Sequence, residues 1–396
     1  MSIIIQKYGG SSVATIEKLE AIADRVVKKH AEGYGVVVVV SAMGNTTDEL
    51  LKLSAKITTT PPARELDMLL STGERTTMAL LSIAIQKRGA ESISFTGSQS
   101  GIITTDSHSH ARIISVRPYR IQDELERGKI VIVAGFQGTS YKNEITTLGR
   151  GGSDMTAIAL AGALGAEACE IYSDVDGVYT ADPKVVLDAR KLDELTSAQM
   201  LEMAQHGAKV LHDEAILYAH RHQISLYAKK SHVDNSAGTY IRPDGWPQNI
   251  LKNAEICPTA VVSAKKTMYL KCAVESPASW FEMLESCEGI KVMDMSVSVH
   301  HAEALIDIWN CTDPSTIVSK INLQADDIAD ANVLNVTIIG DDLGRQASFI
   351  RKMYAAIEQA SVTPLATFIQ PNAVTFVVKR EDVPTASNVL HGFITQ

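Results

Sequence analysis

Continuous apolar runs, rather than alternating ones, mark the predicted strands in the first half of the chain. Five consecutive valines at 36–40 predict a strand buried on both faces, and the apolar residues that begin at Ile3 predict another. The apolar run from Met155 to Leu164 follows a glycine-rich turn and predicts a buried helix. Buried strands that end in polar loops are typical of an open parallel sheet, which binds ligands outside the carboxyl ends of its strands.

The pattern changes beyond about residue 230, where turn-forming residues run from Ser236 to Pro247. We expect the range 236–262 to be a linker or a domain edge. Two β–α–β–β repeats follow this range. Their predicted elements are a strand at Met268–Val274, a helix around Trp280–Cys287, strands at Val292–Val299 and Ala304–Trp309, then a strand at Asn335–Gly340, a helix at Gln346–Ala360, strands at Pro364–Gln370 and Val374–Lys379, and a last helix from Val383.

The composition is that of an ordinary globular protein with more than one domain. The 396 residues exceed a single core, and 45% of them are hydrophobic and 21% charged. The formal charge of −9 and the lack of long basic runs argue against a nucleic-acid surface, and no run reaches the roughly 18 apolar residues of a membrane span. Met1 leads directly into a strand, so we expect no secretion signal. Scattered cysteines favour reduced thiols in the cytoplasm: Cys169, Cys257, Cys272, Cys287 and Cys311.

The most informative local feature is the segment Thr146–Asp154, a glycine-rich turn directly before the predicted buried helix. Its glycines let a ligand approach the backbone, and Ser153 or Asp154 can cap the helix, whose first N–H groups attract anions. Arg150 adds a planar cation for a carboxylate or a phosphate. For this segment alone, an ordinary turn is an equally good interpretation.

Two further polar loops follow predicted strands. Lys7 stands near the end of the first strand, before a pair of glycines, and residues from Val13 onward are expected to be helical. A lysine at the end of a buried strand is costly unless it meets an anion, which favours a phosphate role over an edge lysine. The spacing is neither that of a P-loop nor that of a dinucleotide fingerprint. Ser41 and Thr47 follow the valine strand, where a ligand site and a plain polar loop are equally good interpretations.

Four motifs in fixed order point to one family: KYGGSS at 7–12, SAMGNTTDEL at 41–50, STGER at 71–75 and TTLGRGGSD at 146–154. The chain resembles the aspartate kinases of the monofunctional bacterial type, and the similarity continues through VIVAGFQG at 131–138, EIYSDVDGVYTADP at 170–183 and GAKVLH at 207–212. The resemblance implies an α/β amino acid kinase fold, an open and mostly parallel sheet sandwiched by helices, followed by two ACT-like βαββαβ units. It implies a catalytic domain over 1–235, the linker at 236–262, and ACT-like domains over 263–330 and 331–396.

The same resemblance implies phosphorylation of L-aspartate by ATP to 4-phospho-L-aspartate, an early step in the synthesis of lysine and related amino acids. Lys7 would bridge the phosphates, with Asp154 orienting it or assisting at the ammonium group, and Arg150 would bind the α-carboxylate. Glu74, in a turn that opens a helix at Thr76–Ile85, would accept the α-ammonium group. The implied catalytic residues are Lys7, Arg150 and Asp154, and the implied substrate-binding residues are Ser41, Thr47, Glu74, Arg150, Gly151, Gly152 and Ser153.

A nucleotide site is implied by a second set of residues. The family often has arginine where this chain has Lys184, which keeps the charge but not the bidentate fork. Mg²⁺ would arrive with ATP, because no dedicated carboxylate cage is visible. Turn formation is an equally good interpretation of Asp176–Gly177. The implied nucleotide-binding residues are Lys7, Tyr8, Gly9, Gly10, Ser11, Ser173, Asp174, Tyr179, Lys184, Lys209 and Val210.

Histidines cluster in two places without the spacing of metal ligands, so we expect surface or core-edge histidines and no metal site. Asp213 stands where the family usually has proline, which predicts a shifted helix start because aspartate caps a helix. The clusters are His108 with His110, and His212 with His220 and His222.

The ACT-like units depart from the family pattern at the loops that bind an amino-acid effector. The first has Val274–Ser279 where the family has a loop such as Asp-Lys-Pro-Gly, and the second has Gly340–Arg345 where it has a Pro-Gly turn. Fewer glycines give less backbone access. We therefore expect the units to support a homodimer or higher oligomer while inhibition by lysine or threonine is weak, altered or absent, as would suit a specialised biosynthetic pathway.

Two other functions are compatible with the same fold. One is a kinase of another acid such as glutamate, its N-acetyl derivative or a carbamate. Glu74 argues against an N-acetylated substrate, whose amine carries no charge, and the C-terminal pair of units argues against the single-domain relatives. The other is a catalytically silent regulatory subunit that senses an amino acid through its ACT pair. Such a subunit would have no need to retain all four of Lys7, Glu74, Arg150 and Asp154. Neither a nucleic acid nor a membrane is an expected partner.

Overall fold

A computed structural model describes residues 1–233, 236–244, 258–274, 276–287, 289–309, 311, 313–320 and 327–394. The chain forms two compact units. The first comprises Met1–Val178, Leu192–Met200 and Val210–Gly245, and the second comprises Tyr179–Lys191, Leu201–Lys209 and Trp246–Gln396. Positions 245–257 of the expected linker, Cys257 among them, lie outside the described residues, as does Glu275 of the first effector loop.

The first unit contains two sheets and their helices. Its strands are β1 (Ile3–Tyr8), β2 (Gly35–Val40), β3 (Ser92–Phe95), β4 (Ile102–Thr104), β5 (Ile113–Val116), β6 (Ile130–Ala134), β7 (Gln137–Ser140), β8 (Ile145–Thr147), β9 (Ala168–Ser173), β10 (Glu194–Thr196), β11 (Leu226–Lys230) and β12 (Thr239–Arg242). Its helices are α1 (Ile16–Ala31), α2 (Thr46–Ala55), α3 (Ala63–Leu70), α4 (Thr72–Gln86), α5 (Tyr119–Glu126), α6 (Gly152–Leu164), α7 (Ser197–Gln205), which continues into the second unit, and α8 (Asp213–Arg221).

The larger sheet has eight strands over the described residues, in the order β10-β12-β11-β9-β1-β2-β6-β3. Neighbouring strands are parallel except for β11 and β12. The smaller sheet has the order β5-β4-β7-β8. This mostly parallel sheet with helices on its faces confirms the α/β class predicted from the apolar runs.

The valine strand lies at the centre of the larger sheet. All five of its valines are fully buried, which confirms the prediction of a strand covered on both faces. One face packs against α1 and α4 through residues such as Leu19 and Leu81, and α6 packs against β1, β2 and β9. Helices on both faces explain why no polar residue interrupts the strand.

Four loops leave the same edge of the sheet, because β9, β1, β2 and β6 are adjacent and parallel. They begin at Gly9, Ser41, Gly135 and Asp174. The carboxyl edge of a parallel sheet is where such folds bind ligands. The topology therefore brings together motifs that are far apart in the sequence.

Two predicted helix starts were wrong. The first helix begins at Ile16, not Val13, because Thr15 is its N-cap and accepts a hydrogen bond from Lys18 N at 3.4 Å. The helix predicted from Thr76 begins at Thr72, so Glu74 lies in its first turn. At Asp213, where a shifted start was expected, α8 begins directly after the N-cap residue His212.

The second unit carries two four-stranded sheets. Its elements are β13 (Pro258–Val262), β14 (Thr267–Ala273), α9 (Pro277–Glu285), β15 (Lys291–Val297), β16 (His301–Asp307), α10 (Ser315–Lys320), β17 (Ile328–Asp330), β18 (Val333–Gly340), α11 (Ala347–Gln359), β19 (Ala366–Gln370), β20 (Ala373–Lys379) and α12 (Val383–His391). The sheet orders are β15-β16-β14-β17 and β19-β20-β18-β13.

The first of these sheets is built from one continuous βαββαβ segment, β14 to β17. The second sheet takes one of its four strands from earlier in the chain. In the first sheet β17 pairs with β14, and in the second sheet β13 pairs with β18 in the equivalent position. The expected linker range 236–262 thus contains two strands, β12 and β13. The two βαββ patterns agree with the predicted elements, whereas the pairing of β13 has no local signal.

Apolar side chains join the two sheets of the second unit into one body. Tyr269, Leu305, Val333, Phe368 and Val377 form a cluster between them. Ala181 and Val186 belong to the core of the second sheet. None of the helices in the described ranges is long and apolar enough to cross a membrane.

Candidate active site

The loops after β1 and β2 are tied together by their backbones. Ser41 N donates to Tyr8 O at 3.1 Å, and Gly44 N donates to Gly10 O at 3.0 Å. A Cβ on Gly10 would lie 3.1 Å from Ala42 O, so only glycine allows this approach. The two polar loops predicted from separate motifs therefore form one surface.

Lys7 and Asp154 form an ion pair on the α6 side of the sheet. The Lys7 Nζ atom lies 2.7 Å from Asp154 Oδ1, and both side chains are largely buried. The ammonium group lies beside Gly9, where a Cβ would be 3.5 Å from Lys7 Nζ, an ordinary van der Waals distance. The structure thus brings together a lysine and an aspartate that lie in the first and last of the four motifs. A lysine in this position presents a fixed positive charge at the carboxyl edge of the sheet.

The turn before α6 has the conformation that its glycines predict. Gly149 and Gly151 have φ of 76° and 70°, and Gly151 is the N-cap residue of α6. The expectation that Ser153 or Asp154 caps this helix was wrong, because both lie in its first turn and neither makes a side-chain cap. The Asp154 carboxylate instead turns to Lys7. The N–H of Gly152, the first residue of α6, donates to Gly149 O at 3.1 Å within the turn.

Two histidines support this turn. A Cβ on Gly151 would lie 2.5 Å from His212 Cγ, and one on Gly149 would lie 3.0 Å from His110 Nδ1. A side chain at Gly151 would clash with His212, and one at Gly149 would require His110 to shift; both positions also have a positive φ that favours glycine. Arg150 between them is exposed to solvent and available to a bound anion.

Gly135 is a site residue that the sequence interpretation missed. It follows β6, and its N–H donates to Val40 O at 3.0 Å. A Cβ there would lie 2.7 Å from Ser153 Oγ, so Ser153 sits directly over the glycine. The next residue, Phe136, has a φ of 67°, which is unusual for a non-glycine residue and shapes the same loop. The motif VIVAGFQG contained this signal, but only the fold shows what it faces.

Glu74 is buried at the start of α4 and 3% exposed. Its Oε1 accepts a hydrogen bond from Ala42 N at 3.1 Å, and Oε2 has no partner among the described residues. Burial raises the pKa of this carboxyl from 4.5 to about 7, against the lowering effect of N–H groups at Glu74 and Ala42. A buried carboxylate with an unpaired oxygen is suited to accept a cationic ligand group.

Gly73 lies inside the first turn of α4 and packs closely on Ala42. A Cβ on Gly73 would lie 2.8 Å from Ala42 Cβ, so the glycine permits close packing inside a helix rather than opening a turn. Thr47 lies in the first turn of α2 and is half-buried, as is Ser41. Ser41 and Ala42 therefore lie in the loop to which Glu74 bonds, and Thr47 lies in the helix that follows this loop.

The predicted nucleotide residues of the first unit follow β1 and β9. The Tyr8 side chain is fully buried and stacks on Tyr172 with ring centroids 4.8 Å apart, so only its backbone faces the carboxyl edge. Ser173 ends β9 and Asp174 is exposed beyond it. Ser11 is exposed on the glycine loop, and Val210 is half-buried.

The other predicted nucleotide residues belong to the second unit. Tyr179 forms an isolated antiparallel bridge with Lys191, and Lys184 is exposed with its N–H bonded to Asp182 Oδ1 at 2.9 Å. Lys209 is exposed, and its Nζ lies 3.7 Å from the centroid of the Trp309 ring. This cation–π contact, which carried no signal in the sequence, orders a long side chain.

Within the described ranges, no group of three or more histidine, cysteine, aspartate or glutamate side chains is arranged to hold a metal ion. The histidines of the two clusters have other contacts. His108 Nδ1 lies 2.7 Å from Asp67 Oδ2, and His220 Nδ1 lies 2.7 Å from Ser197 Oγ.

Comparisons with known proteins agree with this architecture. Residues 2–229 match the model of the amino acid kinase family. A crystal structure of aspartokinase III from E. coli in complex with aspartate and ADP superposes with a TM-score of 0.82 at 22% identity, over 100% of both chains. The aspartate kinase of Synechocystis gives a TM-score of 0.57 at 32% identity, over 100% of this chain and 69% of that one. The chain therefore belongs to the amino acid kinase family.

Relatives with similar sequences show which branch of the amino acid kinase family this chain belongs to. Aspartokinase 2 of Bacillus subtilis is 36% identical over 99% of this chain and 97% of its own length. The aspartokinase of Mycobacterium tuberculosis is 55% identical over 235 residues, which span 59% of this chain and 56% of that protein. Within the amino acid kinase family, the chain belongs to the aspartokinases. The resemblance carried by the four motifs is confirmed, and with it the amino acid kinase fold followed by ACT-like units.

Proposed function

We propose that this protein is an aspartate kinase that transfers the γ-phosphoryl group of ATP to the β-carboxylate of L-aspartate. The observation that carries the proposal is a chain of contacts linking a buried acid to a buried cation. Glu74 bonds to Ala42, whose loop is fastened to Gly10, and the same glycine loop adjoins Lys7 and its partner Asp154. A zwitterionic amino acid and a polyphosphate need such a combination of fixed charges.

The roles follow from the charges. Glu74 Oε2 would accept the α-ammonium group, and Arg150 would pair with the α-carboxylate at the glycine turn. Ser41, Thr47 and Gly151 to Ser153 would line the substrate, leaving its β-carboxylate to attack the γ-phosphorus in line. A carboxylate is already a nucleophile at neutral pH, so no general base is required. Phosphoryl transfer then depends on positioning and on neutralising the charge that spreads over the transferring oxygens.

Lys7 would neutralise that charge, held in place by Asp154. The N–H groups of Gly10 and Ser11 and the start of α6 would cradle phosphate oxygens. Gly9 would line the same phosphates without donating, because its N–H already bonds to Tyr172 O at 3.3 Å. Mg²⁺ would enter as part of the MgATP substrate and would supply positive charge at the phosphates, since the described residues offer no cage of carboxylates of their own. Ser173, Asp174, Tyr179, Lys184, Lys209 and Val210 complete the proposed nucleotide set.

We also propose that the ACT-like units respond weakly or not at all to lysine and threonine. At the first loop, Ser276 and Ser279 bond reciprocally, with Ser279 N donating to Ser276 Oγ at 3.2 Å and Ser276 N to Ser279 Oγ at 3.3 Å. At the second, Gly344 N donates to Pro371 O at 2.9 Å. Amides already satisfied by the protein are not available to an effector. Association of these units into a homodimer or higher oligomer, and a reducing cytoplasmic location, remain predictions.

Hydroxylamine trapping of the acyl phosphate tests the activity. The purified protein receives ATP, Mg²⁺ and L-aspartate, with glutamate and N-acetylglutamate as competing acceptors. We expect product from aspartate alone and unchanged rates in millimolar lysine plus threonine. No acyl phosphate from aspartate, despite ATP binding, would overturn the proposed reaction, and inhibition at micromolar lysine or threonine would overturn the effector proposal.

A further inference from the structure

Asp67 is a fully buried carboxylate outside the residues that the proposed reaction uses. It lies on α3, and every described donor around it comes from another part of the first unit. Thr147 Oγ1 donates to its Oδ1 at 2.6 Å, and Ser109 N lies 3.0 and 3.1 Å from its two oxygens. His108 Nδ1 lies 2.7 Å from Oδ2. One side chain thus fastens α3 to the loop between β4 and β5 and to the end of β8.

The end of β8 leads directly into the glycine turn. Thr147 stands three residues before Arg150, and its carbonyl accepts a hydrogen bond from Ala111 N at 2.9 Å. Leu148 N donates to Phe136 O at 2.9 Å. The loop held by Asp67 also carries His110, whose ring packs against Gly149. Asp67 therefore holds two segments that contact the turn, the end of β8 and the loop that carries His110, while Phe136 holds Leu148 independently of Asp67.

The helix that carries Asp67 is also joined to the helix that carries Glu74. Ser71 lies between the two helices, as the C-cap residue of α3 and the N-cap residue of α4, although its side chain makes no cap hydrogen bond. Gln137 Nε2 donates to Ser71 O at 2.9 Å. Glu74 then lies in the first turn of α4. Asp67 therefore connects the element proposed to bind the α-ammonium group with the turn proposed to bind the α-carboxylate.

We propose that Asp67 is a positioning residue for the amino-acid substrate, which sets the distance between the carboxylate-binding turn and Glu74 through its bond to Thr147. This inference rests on the proposed function and names a determinant of its substrate specificity. Hydrogen bonds to a charged acceptor are short and strong, and burial shields this one from competing water. We call the Asp67–Thr147 hydrogen bond the brace. It would limit the glycine turn to one position, which suits an acceptor whose α-ammonium and α-carboxylate groups are attached to the same carbon.

Thr147→Val tests the brace with little change in side-chain volume. The turn contacts the α-carboxylate in both the ground state and the transition state, so the loss should appear in KM and not in kcat. We expect the KM for L-aspartate to rise about tenfold, kcat to stay within about twofold, and the KM for ATP to remain unchanged. Thr147→Ser retains the hydroxyl and should restore the KM for aspartate.

A matched control separates positioning from stability. Thr104 Oγ1 lies 2.5 Å from Thr146 Oγ1, so Thr104→Val removes a buried hydroxyl bond beside the brace but not part of it. It should lower Tm about as much as Thr147→Val while leaving the KM for aspartate in place. β-Alanine, which is aspartate without the α-carboxylate, is a second test substrate. Its KM should be high in the wild type and should be the same in Thr147→Val, because it has no group for the turn to bind.

The outcomes are distinct. A raised KM for aspartate in Thr147→Val, rescued by serine and absent in Thr104→Val, supports the brace. An unchanged KM for aspartate in an active Thr147→Val variant overturns it and leaves the kinase assignment standing. A wild-type protein that forms no acyl phosphate overturns both. Asp67→Asn serves as a second variant if it folds, and it should raise the same KM.

Discussion

The Lys7 ammonium group lies 2.7 Å from the Asp154 carboxylate, although 147 positions separate the two residues in the sequence. Lys7 comes from the central strand β1, and Asp154 comes from the first turn of α6. The pair holds a cation at the carboxyl edge of the sheet, close to the N–H groups of a helix start. This arrangement is the physical core of the proposed phosphate site.

Loss of the cation should affect turnover most. We expect Lys7→Met to lower kcat about 10²–10³-fold, because a preorganised charge stabilises the transferring phosphoryl group. Asp154→Asn should lower kcat less, by about tenfold, since Lys7 remains but loses its anchor. Steady-state kinetics with saturating ATP and aspartate measure both values. Lys18→Met is the matched control, because Lys18 Nζ bonds to Ser11 O on the same loop yet is not proposed to touch the phosphates. An equal loss in the control would contradict the assignment.

The raised pKa of Glu74 predicts a pH dependence for aspartate. Only the ionised carboxylate attracts an ammonium group, and burial places the pKa of Glu74 at about 7. We expect kcat/KM for L-aspartate to fall about tenfold for each pH unit below this value and to level off above it. The KM for ATP should lack this slope. Glu74→Gln should be poorly active and lose the slope, and a sloping profile in that variant would assign the titration to another group.

The burial of Glu74 predicts that its ionised form, which the substrate needs, lowers the stability of the folded protein. Because the folded pKa of Glu74 is raised above 4.5, its contribution to stability is fully present below 4.5 and is lost as the pH rises through about 7. Glu74→Gln should therefore raise the free energy of unfolding at pH 8 by about 1–3 kcal/mol and change it little at pH 4.5. Urea unfolding at the two pH values measures this difference. Glu49→Gln, an exposed acid on α2, should show no such pH-dependent gain.

Gly135 should tolerate no side chain. In Gly135→Ala the new Cβ would approach Ser153 Oγ to 2.7 Å and Val40 O to 3.0 Å, so Ser153 or the strand end must move. We expect a loss of about 1–3 kcal/mol in stability together with a clear fall in kcat/KM. Gly128→Ala is the comparison, since its φ of 78° strains alanine but no atom lies within 4 Å of its Cβ. Gly128→Ala should lose stability and keep the wild-type kcat/KM. A wild-type kcat/KM in Gly135→Ala would show that Gly135 is not part of the site.

Asn335 should be a stability determinant of the second unit. Its fully buried amide donates to His206 O at 2.7 Å and to Thr337 Oγ1 at 3.0 Å, and it accepts from Ala264 N at 2.8 Å. Asn335→Leu leaves buried backbone groups unpaired, and we expect it to destabilise the protein by about 2–4 kcal/mol. Thr375→Val removes one hydroxyl bond, to Thr337 Oγ1 at 3.0 Å, and should cost about 1 kcal/mol. Differential scanning calorimetry measures the Tm of both variants. A lower Tm for Thr375→Val than for Asn335→Leu would contradict this prediction.

The sequence by itself determined the features that depend on local chemistry. Five adjacent valines require a strand covered on both faces, and glycines at 149 and 151 indicate a turn with positive φ. The motif order indicated the family, and the apolar periodicity predicted both βαββ patterns. These features are readable because each depends on residues that are close together in the chain.

Only the tertiary structure decided which distant groups meet. Asp154 was a reasonable helix cap by its position, yet its carboxylate pairs with Lys7 because β1 and α6 pack together. Gly73 resembled a turn residue, whereas it serves the close packing of α4 on Ala42. The motif VIVAGFQG contains Gly135 but does not show that it faces Ser153. The contact of Asp67 with Thr147 and the pairing of β13 with β18 had no local signal. Contacts of this kind depend on how strands are ordered in a sheet, and strand order is set by the packing of the whole unit rather than by neighbouring residues.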